Sequence, residues 1–295
     1  MFGQVEIEVL RALESFRTPF LSKVAEIITM LGEEMVFILL AAILYFIIDK
    51  KFAQKVIFIM CCGIGVNGAM KNFARVPRPF VADPSLNAVR VETATGYSFP
   101  SGHTQTASGM LTALAQKVKK TWFWIVAVVL FLLVGFSRMF LGVHYPSDVA
   151  AGLLLGVGGT FLFGWLYDRK ENKIPVFAVM VGLYAVLGVV FLFLDPDEQF
   201  ADYYKMLGFT LGYFFAFLFE SKCVDFSNDG PLWKRIIRCI VGIGLALGLK
   251  EGFKALFGLI PAGLTGSLLL ETLRYCLLAF CVLGLYPWLF KKAKF

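Results

Sequence analysis

The chain has 295 residues, of which 58% are hydrophobic and only 17% charged, with a net charge of +7 and a mean hydropathy of +0.75. Soluble domains sit nearer ~45–50% apolar and ~25% charged, so this composition excludes a soluble fold and marks an integral membrane protein. The positive charge is spread over short loops rather than gathered in a basic tract, which excludes a nucleic-acid-binding tail. The six cysteines lack C-x-x-C spacing, so neither a zinc site nor a disulfide framework is expected.

In chain order, the opening MFGQVEIEVLRALESF has no basic head, and Glu6, Glu8, Arg11 and Glu14 interrupt any apolar core, so it does not read as a signal peptide. Phe2, Val5, Val9, Leu13 and Phe16 recur at the helical period. The pattern predicts an amphipathic helix lying on the membrane surface, with a second such helix over 19–31. Since about 20 apolar residues cross a bilayer, spans are expected near 33–49, 53–71, 102–118, 121–140, 147–167, 174–194, 205–220, 234–250 and 266–290. Glycines and Pro261 break the 234–265 region, so the expected count is eight or nine.

Alternate loops differ in charge. One set holds Lys50, Lys51 and Lys55, then Lys117, Lys119 and Lys120, then Arg169, Lys170 and Lys173. Lys222, Lys234, Arg235, Arg238, Lys291, Lys292 and Lys294 extend it, while the other set includes Asp195, Asp197, Glu198 and Asp202. The positive-inside rule places the first set in the cytoplasm. Lys71, Arg75, Arg78, Arg90 and Arg138 then fall on the outer side, against the bias, and a bound anion would account for them.

Three stretches share that outer side: Lys71 to Arg78-Pro79, then Pro100-Ser-Gly-His103, then Ser137-Arg138 through His144 to Asp148. Lys71, Arg78 and Arg138 supply three cations; the arginine fork matches phosphate oxygens and lysine adds a point charge. Ser101-Gly102 at a helix start offers backbone N–H groups and the positive end of a helix dipole, and Ser101 is placed to cap that helix. With Pro146 opening the next helix, Asp148 is placed to reach back to His144 and free its other nitrogen as a nucleophile. His103 is then available as a general acid for the leaving oxygen. The chemistry these residues suit is phosphoryl transfer through a phosphohistidine.

The same stretches resemble the signature of the type 2 phosphatidic acid phosphatase superfamily, K-x6-R-P, P-S-G-H and S-R-x5-H-x3-D, matched in full and in order. The resemblance implies an all-α polytopic membrane bundle: a six-helix phosphatase core over 1–170, with the interfacial helix, and extra transmembrane helices over 171–295. It implies metal-independent hydrolysis with no cofactor. His144 is then the nucleophile, Asp148 its orienting partner and His103 the general acid. Lys71, Arg78, Ser101, Gly102 and Arg138 become the phosphate pocket. The expected partners are a lipid phosphate or diphosphate substrate and membrane lipids, with no nucleic acid; self-association stays open. The expected location is a bacterial cytoplasmic membrane with the site facing outward. Transfer to another lipid acceptor, or a non-catalytic lipid-phosphate binder or transporter, are the alternatives.

Overall fold

The computed structural model describes residues 2–194 and 196–293, with Phe2 as backbone only. The expectations for Asp195, Lys294 and the side chain of Phe2 lie outside these residues. The described residues form helices and no strands. In chain order they are α1 (Phe2–Ser15), α2 (Pro19–Thr29), α3 (Glu34–Ile43), α4 (Lys50–Ala74), the short α5 (Pro79–Ala82), α6 (Gly102–Val118) and α7 (Thr121–Phe140). Then come α8 (Pro146–Arg169), α9 (Ile174–Phe193), α10 (Ala201–Phe219), α11 (Leu232–Phe257), α12 (Leu264–Phe280) and α13 (Tyr286–Lys292).

Six helical segments are long and apolar enough to cross a membrane, and a seventh arises if the pair Pro19–Gly32 and Glu34–Ile48, bent by 47°, is one span. This is fewer than the eight or nine expected, for three reasons. The expected span at 33–49 is helical only over Glu34–Ile48, 15 residues or roughly 22 Å at 1.5 Å each. That is short of the ~30 Å hydrocarbon core. The helix at 102–118 has 17 residues and buries Thr104, Gln105, Ser108 and Thr112 against protein. Every 18-residue stretch of α11 carries at least three charged residues from Lys234, Arg235, Arg238, Lys250, Glu251 and Lys254.

The chain divides into two compact units. One comprises residues 1–37 and 62–165. Its interior packs Ala107, Phe131 and Val134 with Ile28, Leu111, Leu153 and Val157. Helix α8 meets α6 through Gly152 and Gly156, spaced four apart as in membrane helix pairs whose backbones touch. A Cβ at Gly156 would lie 1.9 Å from Ser108 Oγ, and one at Gly152 only 2.7 Å from the Ser101 carbonyl. Thr160 completes the seam, its hydroxyl donating to the carbonyls of Gly156 (2.7 Å) and Gly109 (3.1 Å). This contact fixes the start of α6 against the start of α8.

The other unit comprises residues 38–61 and 166–295. Here α10 lies on α12 at Gly208 and Gly212, where a Cβ would come within 2.1 Å of the carbonyls of Thr272 and Cys276. Buried tyrosines satisfy their hydroxyls on neighbouring carbonyls: Tyr184 on Cys61, Tyr213 on Gln54 and Tyr204 on Gly188. Buried Lys50 pairs with Glu220 at 2.8 Å and Asp225 at 3.0 Å, and Gln54 donates to the other Glu220 oxygen at 3.2 Å. Lys55 pairs with Asp168 at 2.5 Å. Lys50 and Lys55, from one of the expected basic loops, thus pair with acids that flank two others, Asp168 beside Arg169 and Glu220 near Lys222.

Candidate active site

The five residues between α7 and α8 make a tight turn. Gly142 sits at φ +75°, a region that favours glycine, and the Val143 N–H closes back on the Arg138 carbonyl at 3.2 Å. Pro146 opens α8, as the sequence predicts. Asp148, in the first turn, accepts the Tyr145 N–H at 2.9 Å on Oδ2, the reach-back half of a capping box. The same oxygen lies 3.2 Å from His144 Nδ1. The Ser98 hydroxyl donates to it as well, at 2.5 Å. Three donors on one carboxylate oxygen leave the His144 ring little freedom to rotate. Both His144 and Asp148 are buried.

Arg78 precedes α5 and is buried. Its Nη1 donates to the Val143 carbonyl and lies 3.0 Å from His144 Nε2. Its Nε and Nη2 donate to the carbonyls of Gly96 (3.0 Å) and Thr95 (2.5 Å). Lys71, in the last turn of α4, donates to the Tyr97 carbonyl. Two of the expected cations therefore hold the 95–97 loop beside the His144 turn.

Arg138, in the last turn of α7, is fully buried. Its Nη1 donates to Thr29 Oγ1 at 3.0 Å and lies 3.5 Å from Thr93 Oγ1. Among the described residues, its Nε and Nη2 have no hydrogen-bond partner, and neither does His103 Nε2. A buried guanidinium with two unmatched donors is costly unless an anion meets it.

Ser101 precedes α6, but its role differs from the cap expected. Its hydroxyl pairs with Thr104 Oγ1 at 2.9 Å and makes no capping bond to the backbone. Its N–H donates to the Asp148 carbonyl at 3.0 Å, so this amide ties α6 to α8. The N–H groups of Gly102 and His103, in the first turn, have no partner within the helix. His103 is held by its backbone against Gly32, where a Cβ would lie 2.5 Å from the His103 carbonyl oxygen.

His144 lies in the turn outside the membrane-crossing helices. Burial first, then the positive field of Arg78, Arg138 and Lys71, holds its imidazole well below the ordinary value. The ring is thus kept neutral.

Sequence reasoning missed several neighbours. Ser98 was within reach, because it lies two residues before Pro100 in a stretch already singled out. Thr29 and Thr93 carry no signal, being single hydroxyls in helical or loop sequence. The pair Arg90–Glu33, at 2.5 Å, is likewise visible only in three dimensions; Arg90 had been noted merely as a misplaced cation.

The site is a carboxylate-oriented histidine with the buried guanidinium of Arg78 beside it, in a chain whose helices are long and apolar enough to cross a membrane. The chain belongs to the PAP2 superfamily: the family profile matches residues 52–173, and that of the PAP2 superfamily phosphatase transmembrane extension matches residues 204–295. Among curated relatives, the undecaprenyl-diphosphatase of Sulfolobus acidocaldarius is 46% identical over 69 residues, 23% of this chain and 32% of that protein. The bacitracin transport permease protein BcrC of Bacillus licheniformis is 38% identical over 112 residues, 33% of this chain and 53% of that protein. The chain thus spans about half or less of these relatives' length. A solved transmembrane PAP2-type phosphatidylglycerolphosphate phosphatase from Bacillus subtilis superposes with a TM-score of 0.50 at 25% identity, over 57% of this chain and 87% of that one.

Proposed function

We propose that this protein is an integral membrane lipid phosphate or diphosphate phosphatase that works through a phosphohistidine, without a metal. The observation that carries the reading is the pairing of a carboxylate-held His144 with buried, unmatched guanidinium donors on Arg138. In this scheme the phosphoryl group sits among Lys71, Arg78, Arg138 and the amides of Gly102 and His103. His144 Nε2 attacks phosphorus, the N–P bond forms and the P–O ester or anhydride bond breaks. His103 gives its proton to the leaving oxygen, then takes one from the water that cleaves the phosphohistidine and releases phosphate. Asp148 holds the ring and stabilises its positive charge during both steps.

An outward-facing site is part of the proposal. Helix α4 carries Lys50 in its first turn and Lys71 in its last. The positive-inside rule assigns the Lys50 end to the cytoplasm, hence the Lys71 end to the other face. The names of the relatives, one a diphosphatase and one a phosphatidylglycerolphosphate phosphatase, favour a lipid substrate with a terminal phosphate. One relative is named a transport permease, which keeps a binding or transport role as the second reading. Transfer to a lipid acceptor would use the same residues and differ only in product.

The test is purified protein in detergent, assayed for phosphate release from phosphatidic acid, phosphatidylglycerol phosphate, a polyprenyl diphosphate and a sphingoid phosphate. Release that vanishes in His144→Ala, is blocked by vanadate and survives EDTA is the expected result. Equal turnover in His144→Ala overturns the mechanism, and binding without turnover in the wild type favours the transport reading.

A further inference from the structure

Helix α1 presents three faces. One, with Ile7, Leu10 and Leu13, packs on Leu86 and Tyr145, and Leu10 is fully buried. A second carries exposed Gln4, Glu8, Arg11 and Ser15. The third exposes Val5 and Val9, and Phe16, in the turn just after the helix, is exposed at 70%. Phe20 at the start of α2 is exposed too, and α2 opens the bent pair whose length and composition would suit one membrane span. The stripe expected from the sequence is therefore split: Leu13 turns inward, while Val5, Val9 and Phe16 stay exposed.

The polar contacts of α1 and of Arg17, two residues beyond it, fall on both ends of the His144 turn. Glu6 Oε1 accepts the Ser147 N–H at 2.7 Å, an otherwise unmatched first-turn amide of α8 lying between His144 and Asp148. Arg17 Nε donates to the Phe140 carbonyl at 2.5 Å, at the turn's other end. Glu14 accepts both the backbone N–H and the side-chain amide of Asn87, and Arg11 pairs with Asp83 at 2.6 Å. Neighbouring Val89 donates its N–H to the Leu141 carbonyl within the turn itself. None of these groups belongs to the phosphate pocket.

We propose that α1 and the turn after it form a lipid-seated strap, with Val5, Val9 and Phe16 resting in the bilayer interface and Glu6 serving as a positioning residue that holds the His144 turn through Ser147. The lipid surface is the occupant the observations favour, because the exposed apolar side chains of 5–20 lie just before a helix pair apolar enough for a span, in a chain with six further helices suited to cross a bilayer. The strap fixes the nucleophile from outside the pocket, so seating α1 in lipid and aligning His144 become one event. This rests on the reading of His144 as nucleophile.

The test uses the full chain in phosphatidylcholine nanodiscs, with turnover of the lipid phosphate hydrolysed best and hydrogen exchange followed over 140–148. Glu6→Ala is expected to speed exchange in that segment, leave 102–118 unchanged and lower kcat about tenfold at constant KM. Glu6→Gln, which keeps an accepting oxygen, is expected to restore most of kcat. Replacing Val5, Val9 and Phe16 together by Ser is expected to reproduce the Glu6→Ala effect in bilayers, and the combined variant to lose little more, since both changes act on one element. Unaltered exchange over 140–148 in Glu6→Ala overturns the strap even where no turnover is seen, as does a kcat within twofold of wild type. Wild-type exchange in the triple variant, or fully additive losses, overturns the lipid seating. If His144→Ala stays active, the catalytic reading fails instead, and exchange still decides the strap.

Discussion

Arg78 Nη1 stands 3.0 Å from His144 Nε2. A guanidinium has only hydrogens to offer, so Nε2 must be the acceptor, and the ring proton resides on Nδ1, facing Asp148. The tautomer follows from the two neighbours. The lone pair that would attack phosphorus is held by the arginine that would bind the phosphate, and an arriving phosphoryl oxygen must draw that N–H onto itself. Arg78→Lys keeps the charge and loses the fork, so kcat/KM is expected to fall about 100-fold. Steady-state kinetics on the preferred lipid check this; a loss below threefold would mean the fork does not read the phosphate.

The depressed pKa of His144 has a direct kinetic consequence. Its lowering keeps the imidazole neutral at pH values where an ordinary histidine, near ~6.5, is half protonated. Protonation would remove the proposed nucleophile, so activity is expected to fall as pH drops through the depressed value. The acid limb of kcat/KM, which reports the free enzyme, is therefore expected below ~6.5. Adding charge-neutral Arg138→Gln removes one of the cations responsible and is expected to move that limb upward. Comparing both proteins on one substrate cancels the substrate's own ionisation, and a limb that stays in place would show that the field of Arg138 does not govern the ring.

Ser98 offers a sharper probe of the carboxylate. Its hydroxyl donates to the Asp148 oxygen that faces the His144 ring. Deleting it in Ser98→Ala leaves that oxygen a stronger base, favours the imidazolium and raises the acid limb. It also loosens the ring. One hydrogen bond to a charged group is worth about 1.5–3 kcal/mol, so kcat is expected to drop about 10- to 100-fold. KM should hold, since Ser98 is outside the cation set. A fall in KM and kcat together, without movement of the pH limb, would argue for a purely structural role.

How much of this was legible beforehand follows from distance along the chain. His144 and Asp148 are four residues apart, and a proline sets the helix phase between them, so their contact is local and could be read. Lys71, Arg78 and Arg138 were visible because they break a charge pattern. The partners of Arg138 were not, since Thr29 lies 109 positions away and Thr93 lies 45 away. Their hydroxyls look like any other in the sequence. Fewer helices are long and apolar enough to cross than the hydropathy pattern suggests, because α6 stops at 17 residues and carries threonines and serines that are buried against protein. The helix over Phe2–Ser15 was legible from its period, yet its inward face was not, because Leu10 and Glu6 acquire meaning only beside Tyr145 and Ser147.

Two glycines close to the site should respond in opposite ways. A Cβ at Gly102 meets nothing nearer than Asn67 Oδ1 at 4.0 Å, so protein packing does not demand glycine there. Alanine suits a first helical turn and narrows the unfolded chain, a gain of about 0.4–1 kcal/mol. Its methyl, however, would stand beside the amides assigned to the phosphate. Gly102→Ala is therefore expected to hold or raise the melting temperature while raising KM about tenfold. At Gly156 the Cβ would fall 1.9 Å from Ser108 Oγ and 2.6 Å from the Gln105 carbonyl, which is backbone and cannot swing aside. Overpacking of this kind costs about 1–3 kcal/mol. Moving α6 away from α8 also drags Ser101, bonded to the Asp148 carbonyl, off the turn that holds His144. Gly156→Ala is expected to lower both the melting temperature and kcat. Thermal unfolding in detergent beside steady-state kinetics separates the cases: an unchanged KM in Gly102→Ala removes those amides from the phosphate site, and a fully stable Gly156→Ala removes the tight α6–α8 contact as the device that aligns it.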